Sequence, residues 1–267
     1  MSETATQALK EGDLTATLAA LQDSVRKEPG DAKLRIFLFQ LLCVLGDWKR
    51  AITQLKLCAE LDALAIPMAQ TYREGIICEV FREKVFAGEK DPLIFGEPAE
   101  WIALMIEANR AMAQGKSAEA ATLRAKAFDQ VPDAPGTING TKFDWVADAD
   151  MRLGPLLEII INGKYYWMPF DAIDTLTVEE PEDLRDAVWT AAQLKVKAGG
   201  ELVALIPTRY AGTHIGDDDA AKLARATTWA DAGNDTYVGT GQRLLSIGET
   251  DISLMDLRSL IMDPANG

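Results

Sequence analysis

The sequence predicts an α+β protein: an all-α helical repeat domain followed by a small α+β domain with a bent, mainly antiparallel sheet. Three observations predict it. A Gly-Asp pair recurs 34 residues apart in an alanine-rich first half, as Gly12-Asp13 and Gly46-Asp47. The turn-rich stretch Asp133-Ala134-Pro135-Gly136-Thr137-Ile138-Asn139-Gly140 then interrupts the helical pattern. Beyond it, an apolar run over 156–161, Asn162-Gly163 and an aromatic run over 164–170 read as a β-hairpin, because Asn-Gly readily takes the positive φ that a two-residue turn demands.

A period of 34 is that of tetratricopeptide-type repeats. The offsets agree: Gly46-Asp47-Trp48 precedes Ala51, Leu55 and Cys58 at the spacings by which Gly12-Asp13-Leu14 precedes Thr17, Leu21 and Ser24. Gly115-Lys116 comes close to two further periods on. Helices are expected at 3–11, 14–27, 32–45, 48–62, 67–87, 98–114 and 117–130, with the break at 90–98 making the array imperfect. Such pairs bury their apolar faces only by stacking, and they leave a groove lined by the first helix of each pair. In this register the groove residues are Lys33, Ile36, Gln40 and Val44, then Ile102, Met105, Asn109 and Met112. Two occupants suit it: a peptide or helix from another protein, or the chain's own second half.

The expected division is residues 1–133 for the repeats, 134–140 for a linker and 141–267 for the second domain. In the latter a third strand is expected at Ile173–Val178, a helix start at Pro181–Asp186, a buried strand at 202–207 ended by Arg209-Tyr210, a turn and strand over 239–245, and a closing helix at 252–262.

At 267 residues the chain can bury a sizeable core, and 48% hydrophobic with 25% charged residues is ordinary for a soluble protein. Its net charge is -14. Residues 1–133 hold 16 basic and 20 acidic groups, and 134–267 hold 11 and 21, so the excess is concentrated in the second half. That field repels phosphate and argues against nucleic acid or anionic membrane as partner; a basic protein surface fits better. The start lacks a secretory pattern and no apolar stretch is long enough to span a bilayer. Cys43, Cys58 and Cys78 lie in helical apolar patterns, as small buried hydrophobes of a reducing compartment do, so the cytoplasm is the expected location.

The search for chemistry assigns no catalytic residue, cofactor or metal. No phosphate-binding glycine loop is present. His214 is the lone histidine and lacks a nucleophile in a recognisable motif. Asp217-Asp218-Asp219 lacks the glycine and terminal glutamate of a calcium loop, and Asp144, Asp148 and Asp150 lie beside Arg152, which favours ion pairing. Two sets remain: Asp150 with Arg152, and Arg185-Asp186 followed by Val188-Trp189. Interleaved with Trp167, Tyr165 and Tyr166, they fit either an ion-pair network pinning the second domain to the helices or an aromatic docking surface. Residues 144–170 are accordingly expected to brace the fold.

The residues Asp148-Ala149-Asp150-Met151-Arg152-Leu153-Gly154-Pro155-Leu156-Leu157-Glu158, Tyr165-Tyr166-Trp167-Met168-Pro169-Phe170, Leu184-Arg185-Asp186, Val188-Trp189, Pro207-Thr208-Arg209-Tyr210, Thr228-Trp229 and Gly239-x-Gly241-Gln242-Arg243 resemble the signature of the ImpE family, also called TagJ. The resemblance extends over essentially the whole chain. It implies a non-catalytic cytoplasmic accessory protein of the bacterial type VI secretion system. Family members bind an N-terminal helix of the small sheath subunit and are associated with the ClpV ATPase. On this basis three functions are weighed: an adaptor that captures a sheath helix, a purely architectural scaffold, and an unassigned hydrolase using His214.

Overall fold

The computed structural model describes residues 2–264; Met1 and 265–267 of the two expected segments lie outside them. Helices α1 (Glu3–Glu11), α2 (Leu14–Lys27), α3 (Ala32–Val44), α4 (Trp48–Leu61), α5 (Ile66–Phe86), α6 (Glu100–Ala113) and α7 (Ser117–Phe128) follow the expected series closely. The recurring Gly-Asp pair has a plain physical role. Gly12 (φ 84°) and Gly46 (φ 71°) take the left-handed conformation that closes one helix, while the Asp13 and Asp47 carboxylates accept the Ala16 and Arg50 amides and cap the next.

The second half is built on a nine-stranded sheet, one strand of which comes from the first half, with two small companions. Its strands are β1 (Leu93–Ile94), β2 (Gly136–Ile138), β3 (Thr141–Phe143), β5 (Leu156–Ile161), β6 (Lys164–Pro169), β7 (Ile173–Val178), β8 (Trp189–Val196), β9 (Glu201–Pro207) and β14 (Ser259–Met262), in the spatial order β1-β6-β5-β9-β8-β7-β14-β2-β3. β4 (Ala147–Asp148), β12 (Leu244–Ile247) and β13 (Thr250–Ser253) form a three-stranded sheet, and β10 (Thr227–Asp231) pairs with β11 (Tyr237–Gly241). All pairs are antiparallel except β1 on β6. The hairpin register sets Ile161 opposite Lys164 across Asn162 (φ 50°) and Gly163 (φ 69°), as an Asn-Gly turn requires.

β5 is buried throughout, and its alternation divides the core. Leu157, Ile159 and Ile161 face one cluster with Ile206, Leu245, Leu254 and Leu260. Leu156 and Ile160 face another, shared with Tyr165, Trp167, Trp189 and the helix residues Phe39, Leu42, Ile76 and Met105. One hydrophobic core therefore runs from the repeats onto the sheet.

Among the departures from sequence expectation are the unanticipated strands β1, β3, β4 and β10, the strand β11 where a turn was expected at 239–241, and three that shape the main sheet. Residues 252–262 are not a helix but β13, a 3-10 turn at Leu254–Asp256 and β14. Their apolar spacing suits a helix, yet β14 supplies the pairing between β7 and β2, with Leu260 opposite both Leu176 and Ile138, and that tertiary demand overrides the local pattern. β8, which alternates buried and exposed along Trp189–Val196, was not anticipated. Residues 136–138, expected within a linker, form β2 and hydrogen-bond into the sheet.

Candidate functional site

Glu158 organises the junction between helices and sheet. It points from β5 toward the repeats and is fully buried, a position where an ionised carboxylate is tolerated only with partners. Arg82 of α5 supplies a bidentate pair, Nε to Oε1 at 2.5 Å and Nη2 to Oε2 at 2.7 Å. The Tyr165 hydroxyl also donates to Glu158 and itself accepts the Trp167 indole N–H at 2.8 Å. Arg243 approaches from the far side, with Nη1 3.4 Å from Glu158 and with Nε and Nη2 donating to Asp148 at 2.9 and 2.6 Å.

The network continues into the repeats. Arg82 Nη1 lies 3.3 Å from Glu79, which accepts the Trp189 indole N–H at 3.1 Å, and Arg82 Nη2 donates to the Arg209 carbonyl at 2.8 Å. Arg209 in turn donates to the carbonyls of Val44 (2.9 Å) and Cys43 (3.4 Å) at the end of α3, and to that of Lys222. Helix α5 is thus held to the sheet by Arg82 and its acids, and α3 by Arg209 through backbone carbonyls.

Burial and charge compete at each group. Burial alone pushes the Glu158 carboxyl up, but the Arg82 and Arg243 guanidiniums outweigh it and hold it below its ordinary range. Burial raises Glu79 against the pull of Arg82, raises Asp148 to about 6 against Arg243, and lowers Arg209 to about 10 despite Glu79.

The residues singled out in the sequence cluster around this brace. Asp150 is buried and takes both Arg152 Nε and Nη2 together with the Gly239 and Arg152 amides. Arg152 also lies over the Phe86 ring at 4.8 Å. Arg185 pairs with Asp183 and lies 4.8 Å over Tyr72; Asp186 accepts the Glu182 and Asp183 amides; Trp189 meets Tyr72 and Trp48 at 5.6 and 6.3 Å; the Tyr210 hydroxyl accepts the Leu244 amide. Arginines do stack on rings and pair with carboxylates here, but the rings are Phe86 and Tyr72 of α5, not the Tyr165, Tyr166, Trp167 and Trp189 expected from sequence. Because the two surviving amides still serve Asp150, we expect Arg152→Ala to lower stability by only about 2 kcal/mol in urea melts, below the usual loss for a broken buried pair.

The groove residues fare differently. Lys33 is exposed and Ile36 and Met112 are half-buried, but Gln40, Val44, Ile102, Met105 and Asn109 are buried within the chain itself. The Val44 carbonyl is taken by Arg209 and the Asn109 amide donates to Val85 at 2.7 Å. The eight do not form one open surface.

His214 is half-buried against Gly46, edge-on to Trp48 (5.4 Å), with Nε2 3.3 Å from Glu83, which also accepts the Trp48 indole. Burial lowers its pKa, opposed by Glu83 and reinforced by Arg209, Arg82 and Lys222. Since the folded pKa lies below the unfolded one, the unfolded chain binds the proton more readily. The stabilising difference is complete above the unfolded value of about 6.5 and is lost as pH falls from there through the lower folded one. His214→Gln should therefore lose less stability than wild type between pH 8 and 5.5 in paired thermal melts. Among the aspartates, Asp218 caps a short helix at Asp219–Lys222 and Asp219 accepts the Leu14 amide at 3.1 Å.

Glu79 and Arg82 were not singled out from sequence, and Arg243 entered only with the signature that carries the resemblance. One signal pointed their way: Glu158 is the only charge in a six-residue buried strand, and a buried charge implies a cation elsewhere.

Comparison with known proteins follows the two halves. The family model for ImpE protein matches residues 140–261, and a tetratricopeptide repeat model matches residues 8–67. The chain is 49% identical over 262 residues to the type VI secretion system accessory component TagJ of Pseudomonas aeruginosa, covering 98% of this chain and 92% of that protein. The crystal structure of protein VPA1032 from Vibrio parahaemolyticus is similar with a TM-score of 0.88 at 27% identity, covering 97% of each chain.

Proposed function

Because this chain belongs to the ImpE family, we propose that it serves type VI secretion as an accessory component that works through protein partners. In the finer form of this reading it is a non-catalytic cytoplasmic adaptor. It captures the N-terminal helix of the small sheath subunit and modulates sheath assembly or ClpV-driven disassembly. The observation that carries the proposal is the near full-length identity to an accessory component of that system. The repeat helices support it, since stacked helix pairs commonly present surfaces to peptides. No helix among the described residues is long and apolar enough to cross a membrane.

The test is a titration of labelled sheath-subunit N-terminal peptide against the full chain. Saturable binding at or below tens of micromolar is expected for a transient helix contact. No change in signal over that range would count against the sheath-helix reading.

A second reading, the architectural scaffold, draws on the burial of Gln40, Val44, Ile102, Met105 and Asn109 against the chain's own residues. Under it, hydrogen exchange at α3 and α6 is fully protected without a partner and unchanged by the sheath peptide. Under the adaptor reading, adding the peptide changes protection on some helix.

A further inference from the structure

Among the described residues, every sheet edge but one is short, charged or covered. An edge strand presents a row of unpaired amides and carbonyls, and proteins protect such rows by keeping them brief or placing charge on them. The nine-stranded sheet ends at β1, of two residues, and at β3, of three with the exposed Lys142 in the middle. The three-stranded sheet ends at β4, of two residues, and at β13, which carries the exposed Asp251. The exception is β10 in the β10–β11 ribbon: five residues, Thr227–Asp231, without proline, lysine, arginine or bulge.

The alternation of the ladder fixes which groups of β10 look outward. Thr228 and Ala230 stand opposite Thr240 and Val238. At either end the ladder continues from the Gln242 amide to the Ala226 carbonyl (3.0 Å) and from the Ala232 amide to the Thr236 carbonyl (2.8 Å). The even-numbered residues therefore bond to β11, and the amides and carbonyls of Thr227, Trp229 and Asp231 point away from it. No described residue takes them up. β11 differs, because its outward Gly239 and Gly241 amides donate to Asp150 and Thr213 at 2.9 Å each, and the Gly241 carbonyl accepts the Tyr210 amide. One edge of the ribbon is built into the brace. The other is bare.

Side chains along the bare edge decide what fits. Trp229, 39% exposed, lies 5.5 Å from the Tyr210 ring across Gly239, where an added Cβ would meet that ring at 2.4 Å. Tyr237, opposite Asp231, is 49% exposed. Aromatic rings held by packing on one side and open on the other are common binding anchors. Residues 226–241 contain two acids, Asp231 and Asp235, and no base. Arg225, just before them, is turned to the carbonyls of Leu9 and Lys10 on α1. A second copy of this edge, in a chain of net charge -14, would bring acids to acids.

We propose that β10 adds an extended segment of a partner protein as a third strand, one in which β-forming residues alternate with Lys or Arg. The main chain of that segment completes the pairing at Thr227, Trp229 and Asp231, while its cations meet the Trp229 ring and the Asp231 carboxylate. The inference goes beyond the sheath-helix reading, since a helix satisfies its own backbone and gains nothing from an open edge.

Three short synthetic peptides test it. One has an alternating Val-Thr core flanked by lysines, and the second has the same core flanked by glutamates. The third is the lysine peptide with alternate amides N-methylated, which keeps its charge and side chains but removes strand pairing. Each is titrated by fluorescence anisotropy against the full chain. The lysine peptide is expected to bind at least about tenfold more tightly than either of the others. Once bound, it should slow hydrogen exchange at Thr227, Trp229 and Asp231. Thr228→Lys with Ala230→Lys, both at exposed positions, should turn the preference to the glutamate peptide while melting with wild type. Equal affinities for the three peptides, binding that N-methylation leaves untouched, or a preference that the two lysines do not change overturns the proposal. So does protection that appears only outside β10. A concentration-dependent dimer in sedimentation that Thr228→Lys with Ala230→Lys dissolves also overturns it, since a second copy then pairs with the edge.

Discussion

Arg82→Ala is expected to lower the unfolding free energy by about 3–5 kcal/mol, among the largest effects of any single substitution in this chain. The reason is what remains behind. Glu158 is fully buried on the helix-facing side of β5, and removing Arg82 deletes both short contacts to its carboxylate together with those to Glu79 and the Arg209 carbonyl. Arg243, at 3.4 Å and already committed to Asp148, is a weak substitute. The carboxylate cannot relax outward because Tyr165 and Trp167 close over it. Arg82→Met combined with Glu158→Leu should be less destabilised than Arg82→Ala, since replacing both charges by apolar groups avoids an orphaned ion. A double-mutant cycle in urea melts reads the difference, and additive single effects would show that the pair is not coupled.

Gly46→Ala is the second. Gly46 holds φ at 71°, and an added Cβ would lie 2.2 Å from His214 Cδ2 and 2.6 Å from Cγ. The left-handed conformation alone costs about 1 kcal/mol for alanine, and the forced displacement of the ring adds about 1–3 kcal/mol. Combining Gly46→Ala with His214→Ala should recover only part of the loss, because the ring contacts go while His214 Cβ, 2.9 Å from the added Cβ, stays. Gly12→Ala offers an internal comparison, because Gly12 takes the same conformation with its nearest neighbour, Arg225 Nη1, at 3.7 Å. If Gly12→Ala and Gly46→Ala melt alike, the ring contact contributes nothing.

How far the sequence foretells this structure varies with the range of the interactions involved. The helices were legible because their signals are local: Gly12-Asp13 and Gly46-Asp47 carry both the stop of one helix and the cap of the next. The Leu156–Lys164 hairpin was legible for the same reason, with Asn162-Gly163 fixing its register. The 252–262 segment was misread because Leu254, Leu257 and Leu260 satisfy a helical period, while the pairing that overrides it comes from Thr175–Thr177 and Gly136–Ile138, far away in the chain. The brace shows the same limit. Glu158 announced a missing cation, but nothing local distinguishes Arg82, 76 residues upstream, from the other arginines. The groove candidates followed from the repeat register alone, whereas which face the second half covers is decided by Arg209 reaching α3 and by Trp189 reaching Glu79.

The place of β14 bears on how the molecule comes into being. Residues 259–262 lie between β7 and β2, so the strand pair β2–β3, made more than a hundred residues earlier, reaches the rest of the sheet only through them. During synthesis the repeats can acquire their local contacts as they emerge, whereas the sheet must wait with an open gap until this strand arrives. Until then β7 and β2 each expose a row of unpaired amides and carbonyls, the condition in which a nascent chain is most prone to pair with a neighbour. The assembly order is therefore written into the topology: helices early, sheet late, closure last.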